Sequence, residues 1–198
     1  MKGMLVIISG PSGSGKGTVV KQLDSKTNYA VSTSITTRPP REGEVDGRDY
    51  FFCTPDQFIY MRDNNQLLEH ARYCNNYYGT PRHYVEEQIN NGKAVVLEIE
   101  ANGALQVREK FREAVLIFLI PPTLADLHSR LTHRNTEDAE TIEDRIKKAH
   151  EEIKLIKKYD YLVINDNIAD AVERIDTIVK AESLKPSRNQ EAIKHFKG

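Results

Sequence analysis

Residues Gly10, Pro11, Ser12, Gly13, Ser14, Gly15, Lys16, Gly17 and Thr18 follow directly on an apolar run and lead directly into a helical pattern. That order demands a strand, a tight loop and a helix whose free N–H groups open into the loop. The glycines let successive backbone N–H groups curl around an anion, the helix N-terminus adds positive potential, and Lys16 is in register to reach the outer oxygens of a bound polyphosphate. Residues 10–18 therefore read as a P-loop for a nucleoside triphosphate. The strict pattern has Ser or Thr immediately after the lysine, whereas Gly17 stands there and Thr18 follows. No direct protein ligation of Mg2+ is expected, and an accompanying ion would be held by phosphate oxygens and water. Thr18 and Glu98 are the protein candidates for it, and Thr18 is also a candidate for the α-phosphate.

A P-loop needs a parallel sheet behind it, and the rest of the chain supplies one. Short β-branched runs at 5–9, 29–34, 94–99, 115–120 and 161–164 alternate with helical patterns, and several are apolar on both faces, as buried parallel strands require. The fold class is α/β, a P-loop-type core of five parallel strands with helices on both faces. Residues 35–91 form a polar, aromatic-rich excursion too long for a simple crossover, which reads as an inserted subdomain. A second excursion, 124–157, has apolar residues at helical spacing on both sides of a polar turn and reads as a helical hairpin. The core is then 1–34, 92–123 and 158–184, and residues 185–198 are expected to be a mobile or weakly helical tail.

Composition excludes several classes. No stretch of the 198 residues approaches the length of apolar run that crosses a membrane, and a formal net charge of −1 gives no global field to recruit nucleic acid. Cys53 and Cys74 are the two cysteines, and with residues 4–8 reading as a buried strand rather than an export signal they are expected as reduced thiols. That points to the cytoplasm.

The insertion carries its own anion chemistry. Residues 34–50 set Arg38, Arg41 and Tyr50 among Pro and Gly punctuation, and Asn76, Tyr77, Tyr78, Gly79 and Thr80 add phenol and hydroxyl donors. On the hairpin, Arg130 and Arg134 stand four apart on one helix with Arg145 on the next. Like charges at that spacing repel, and their convergence on a polyphosphate explains the arrangement.

Together these segments resemble the guanylate kinase family, and the likeness runs from the P-loop to about Asp166. The resemblance implies transfer of the γ-phosphoryl group of ATP to GMP, and to dGMP, with Mg2+ arriving on ATP. It implies that the Ser-x-Thr-Thr-Arg-x-Pro-Arg and Tyr-Tyr-Gly-Thr stretches form a GMP-binding subdomain. Arg38, Arg41, Tyr50 and Tyr78 then take the GMP phosphate, Ser34, Glu69, Gly79 and Thr80 fall at guanine-binding positions, and Glu100 is a further base reader. The hairpin becomes a lid, with Lys16, Arg38, Arg130, Arg134 and Arg145 acting on the phosphoryl group in transit and Asn165 bordering the adenine pocket. The chain departs from the family pattern at Asn102, where glutamine is usual, and at Asn135, where glycine is common.

Guanine presents adjacent N1–H and N2–H2 donors, so a carboxylate beside a hydroxyl satisfies its edge, whereas adenine turns an acceptor towards the same carboxylate. Two rival readings share the fold: a catalytically dead module that docks phosphopeptides, and a kinase for another phosphorylated acceptor such as a ribosyl phosphate. An intact Lys16 loop and the lid arginines oppose the first, and Ser34, Glu69, Thr80 and Glu100 oppose the second. No oligomeric state follows from these residues.

Overall fold

The computed structural model describes residues 3–73, 75–132 and 139–196. In chain order the elements are β1 (Met4–Ser9), α1 (Lys16–Asp24), β2 (Tyr29–Val31), β3 (Ile35–Thr36), β4 (Phe51–Phe52), α2 (Pro55–Asp63), β5 (Leu67–Tyr73), β6 (Asn76–Pro81) and α3 (Arg82–Asn90). Then follow β7 (Ala94–Glu98), α4 (Ala101–Lys110), β8 (Val115–Ile120), α5 (Leu124–Thr132), α6 (Ala139–Ile153), β9 (Tyr161–Ile164), α7 (Ile168–Ser183) and α8 (Gln190–Phe196).

The main sheet has the order β2-β7-β1-β8-β9 and every pairing in it is parallel. Alternation along β1 explains its central place. Met4, Val6 and Ile8 pack with α1 and α7 on one face, while Leu5 and Ile7 pack with α3 and α4 on the other. Val6, Ile7 and Ile8 are wholly buried, and burial of an aliphatic side chain contributes about 1.5–3 kcal/mol. A strand sealed on both faces holds its C-terminal end rigid, and the loop after Ser9 inherits that rigidity.

The chain leaves this sheet after Val31 and enters a second one of order β4-β3-β6-β5, in which β3 runs parallel to β4 and antiparallel to β6. Its small core is Ile35, Phe58 and Leu67, with the Tyr77 ring stacked on Phe58 at 5.3 Å. Helix α2 starts on a reciprocal cap, in which Thr54 accepts from the Gln57 backbone and the Gln57 side chain accepts from the Thr54 backbone N–H. The second sheet ends at Pro81. Helix α3, within the 35–91 excursion, buries Val85 and Ile89 against the main sheet.

Within its described residues, 185–196, the tail is helical. A 3-10 turn at Pro186–Arg188 leads into α8, and Arg188 donates to the Glu113 carbonyl. Buried Glu182 is the anchor: it accepts from Tyr161 Oη at 2.7 Å and pairs with Lys185 and Arg188. A carboxylate with so little water around it needs such partners, and partners met through space leave no trace in hydrophobic periodicity.

Candidate active site

The P-loop turns at the C-terminal end of β1, where an open parallel sheet gathers its ligands. Gly15 caps α1 at φ 87°, a left-handed conformation, and a Cβ there would stand 2.4 Å from Asn165 Nδ2. Glycine is required on both counts. Lys16 opens α1 and folds its Nζ back onto the carbonyls of Gly10 and Pro11, at 2.6 and 3.0 Å. Burial lowers its pKa against the pull of Glu98, Glu152 and Glu100. The Ser14 hydroxyl is buried in the same loop with no hydrogen-bond partner.

Two of the three hairpin arginines reach this loop. Arg130 on α5 donates to the Asn165 carbonyl at 2.9 Å, and Asn165 Nδ2 in turn donates to the Ser14 carbonyl at 2.8 Å. Arg145 on α6 donates to Ser12 Oγ at 3.4 Å. Arg134 lies outside the described residues, as do Asn135 and Cys74. Thr18 is exposed on the first turn of α1, while Glu98, at the end of β7, stands within 3.6–3.8 Å of the position a Gly17 Cβ would take. Burial raises the Glu98 pKa and Lys16 opposes the rise.

In front of the loop opens a cavity of about 450 Å3, lined among others by Lys16, Ser34, Tyr50, Glu98, Glu100 and Arg145. Beyond it the second sheet and the loop between β3 and β4 gather Arg38, Tyr50 and Tyr78. Arg38 places one nitrogen 2.9 Å from both oxygens of Glu44 and another 2.7 Å from the Pro39 carbonyl, and its guanidinium carbon lies 5.4 Å from the centre of the Tyr50 ring. Glu44 also accepts from the Arg41 backbone at 2.7 Å, and Tyr50 meets Tyr78 edge-on at 6.2 Å. The four residues expected at one phosphate are thus gathered on one loop and its neighbouring strand, with the Arg41 side chain exposed.

Glu69 and Thr80 pair deep in the same subdomain. They are 5% and 1% exposed, Thr80 Oγ1 donates to Glu69 Oε1 at 2.8 Å, and Oε2 is 2.9 Å from where a Cβ on Gly103 would lie. Burial pushes the Glu69 pKa up to about 7, against the Thr80 hydrogen bond and the Lys110 charge. Glu69 and Thr80 are buried, whereas Ser34 and Glu100 line the open cavity. Gly79 joins the buried pair, since a side chain there would stand 2.9 Å from the Glu69 carbonyl oxygen. Glu100 caps α4 without a side-chain cap bond and instead accepts from Lys148 on α6 at 2.7 Å.

Sequence reasoning missed Glu44, Gly103, Lys148 and Glu152. Glu44 sits three residues after Arg41, but it is one of four carboxylates in residues 38–50, and only its meeting with Arg38 and Arg41 sets it apart. Arg145, Lys148 and Glu152 have the spacing of one helical face. Gly103 gave no signal, because its meaning is the Glu69 oxygen across the fold.

A P-loop on a five-stranded parallel sheet, beside a second sheet that gathers arginine and tyrosine side chains, suits a kinase of the nucleoside monophosphate class. Comparison narrows the class. A family model described as Guanylate kinase matches residues 2–182. The guanylate kinase of Oceanobacillus iheyensis is 53% identical over 188 residues, 94% of this chain and 91% of that protein. That of Bacillus subtilis is 52% identical over 189 residues, 94% of this chain and 93% of that protein. The crystal structure of guanylate kinase from Anaplasma phagocytophilum matches with a TM-score of 0.75 at 32% identity, over 94% of this chain and 89% of that one. The chain belongs to the guanylate kinase family.

Proposed function

We infer that the reaction performed here is that of a guanylate kinase: the γ-phosphoryl group of ATP passes to GMP, giving ADP and GDP. The observation that carries the acceptor is the sealed Glu69–Thr80 pair, a buried acceptor beside a hydroxyl on the same subdomain as an arginine and tyrosine cradle. Guanine N1–H and N2–H2 would meet those oxygens, with Ser34 and Glu100 completing the edge. Arg38, Arg41, Tyr50 and Tyr78 take the GMP phosphate. Lys16 and the loop N–H groups take the β- and γ-phosphates of ATP, Arg130, Arg134 and Arg145 neutralise the phosphoryl group in transit, and Asn165 borders the adenine. Incubation of the purified protein with ATP, Mg2+ and GMP should yield ADP and GDP in equal amounts. ADP without GDP would overturn the assignment.

The acceptor phosphate has a second pKa of about 6 and is already largely dianionic at neutral pH. No general base is required. The protein's work is to hold two charged nucleotides in line, neutralise the moving oxygens and exclude water. The donor set suits Mg2+ carried by ATP: the Glu98 carboxylate borders Gly17, one residue after Lys16 on the first turn of α1. Glu98 would hold the ion's water shell, and the ion would supply positive charge to the phosphate oxygens. No helix among the described residues is long and apolar enough to cross a membrane. Free Cys53 suits a reducing cytoplasm, and purine nucleotide recycling is the metabolism such a reaction serves. The deoxy nucleotide dGMP offers the same base and phosphate and is a second acceptor.

Two expected results follow from these roles. Glu69 with a pKa of about 7 is partly protonated in the free enzyme at neutral pH, and guanine binds the ionised form. GMP affinity therefore rises with pH through about 7 and levels off above it. One unit below, about one site in ten is ionised, so KM for GMP at pH 6 should be about tenfold above its plateau. Glu69→Gln should remove that step and leave only the ionisation of the phosphate, and a step that survives the exchange belongs to another group. The second result concerns Glu44. Its carboxylate orients Arg38 through both oxygens and holds the Arg41 backbone, so Glu44→Gln should raise KM for GMP about tenfold and leave KM for ATP within about twofold. A lowered KM for GMP would mean that Glu44 competes with the phosphate instead.

A further inference from the structure

Helix α4 presents one stripe to the outer edge of β5. Gly103, Gln106 and Lys110 stand at helical spacings of three and four and meet that strand in turn. Glu69 Oε2 lies against Gly103, 2.9 Å from the place a Cβ there would take. The Gln106 side-chain oxygen accepts from the His70 backbone N–H at 3.3 Å, and its amide nitrogen donates to the His70 carbonyl at 3.1 Å. Lys110 Nζ donates to the Leu67 carbonyl at 3.4 Å. Among the described residues β5 is the last strand of its sheet, so its outer N–H and C=O groups have no strand to pair with. A side chain with one acceptor and one donor answers both backbone groups of His70 at once, as a neighbouring strand would.

The segment held in this way is irregular. Leu67 stands opposite Pro81 and His70 opposite Gly79, so Leu68 and Glu69 of β5 face the single residue Thr80 of β6. A bulge of this kind breaks the alternation of a strand and re-aims its side chains. Leu67, Leu68 and Glu69 are all buried in consequence. Leu67 enters the core of the second sheet, Leu68 enters a core of the main sheet, and Glu69 meets Thr80 and Gly103. A slip of one residue that restored alternation would turn successive side chains to the opposite face. Glu69 would then leave Thr80.

We propose that Gln106 is a positioning residue for guanine recognition: by pairing with both backbone groups of His70 it pins the end of the bulge to α4 and keeps Glu69 aimed beside Thr80. The inference rests on the guanine-reading role given to Glu69 above. Gln106 belongs to a helix of the main core, packed through Ala104 and Val107 against the sheet, and so refers the position of Glu69 to the rigid part of the molecule. The two bonds act one residue along the chain from the carboxylate itself. A neutral hydrogen bond shifts an equilibrium by a few-fold to about tenfold, enough to loosen the bulge without dissolving the fold.

The test is a cycle of Gln106→Met and Glu69→Gln, singly and together in the full chain, read by calorimetric titration with GMP and by steady-state rates. Methionine keeps the length of the side chain and removes the amide. Gln106→Met should weaken GMP binding about fivefold and raise KM for GMP to match, with kcat at saturating GMP and KM for ATP within about twofold. On the Glu69→Gln background the same exchange should weaken GMP by less than about twofold, because its effect runs through the carboxylate already removed. Parental GMP affinity in Gln106→Met would overturn the proposal, as would an equal loss on both backgrounds, which would make Gln106 a general prop of the subdomain. Amide hydrogen exchange of the parent gives an answer that does not depend on how the variants fold. The His70 amide should be protected like the β5 amides that pair with β6, and exchange at the rate of an open edge would overturn the proposal. Parental GMP affinity in Glu69→Gln would count instead against the assigned reading of guanine.

Discussion

Exchange of Lys16 for methionine is expected to lower kcat by roughly 10² to 10³, the usual worth of one preorganised group at a developing charge, while the fold survives. The side chain is positioned before any substrate arrives: two loop carbonyls hold its ammonium, and burial has stripped it of water. Methionine keeps the length and the packing of the stem and removes the charge. Because methionine fills the space of the stem, the melting temperature should move by no more than a few degrees. Glu98 would lose an attractive neighbour and its carboxyl would rise further above the usual range, a side effect visible only in the pH profile. Steady-state rates at saturating ATP and GMP, set beside a thermal melt, make the check. Parental turnover in a folded variant would remove Lys16 from the chemistry.

The second large effect is expected at the base. Glu69→Gln keeps the size and shape of the side chain, and Thr80 Oγ1, which donates to Oε1, favours the amide oxygen at that position. The new NH2 then stands where Oε2 was, close against Gly103, and in the proposed complex it would face a guanine donor. Donor meets donor, and the buried group has lost its acceptor. Consequently kcat/KM for GMP should fall at least about tenfold, equivalent to about 1.4 kcal/mol, while that for AMP stays equal or rises. Affinity for ATP should hardly change. Burial holds the Glu69 carboxyl up at about 7, so its cost to folding builds up from the ordinary carboxylate range to about 7 and is complete at pH 8, and a neutral amide is relieved of that cost. The variant should then melt no lower than the parent at pH 8. An unchanged GMP/AMP ratio would leave recognition of guanine to Ser34, Thr80 and Glu100.

The parts of the fold that could be read from the residues are those in which local pattern and burial coincide. The five core strands lie at their apolar runs: β1 and β8, sealed on both faces, must be apolar almost throughout, whereas β9 at the sheet edge is apolar although Leu162 and Ile164 are exposed. The P-loop was legible for the opposite reason, since its glycines and lysine make little sense except around an anion. The second sheet was visible only as an excursion: β3 and β4 have two residues each, too few to carry a period. The docked tail escaped because it hangs on Glu182 and Arg188 rather than on an apolar stripe. Within the site, residue types announced the anion cradle, whereas the guanine readers came from resemblance to a family. Glu44 and Lys148 acquire meaning from the atoms they meet, and only coordinates supply those meetings.

The most direct measurement is the rate of phosphoryl transfer from ATP and Mg2+ to GMP, dGMP, AMP, CMP and UMP in a coupled assay under one set of conditions. A site that reads the base through buried hydrogen-bonding groups rejects the wrong partner by roughly 10⁴-fold or more, so kcat/KM for GMP should exceed that for AMP, CMP and UMP by about that factor, with dGMP also accepted. Comparable rates on AMP and GMP would contradict guanine recognition by the Glu69–Thr80 pair.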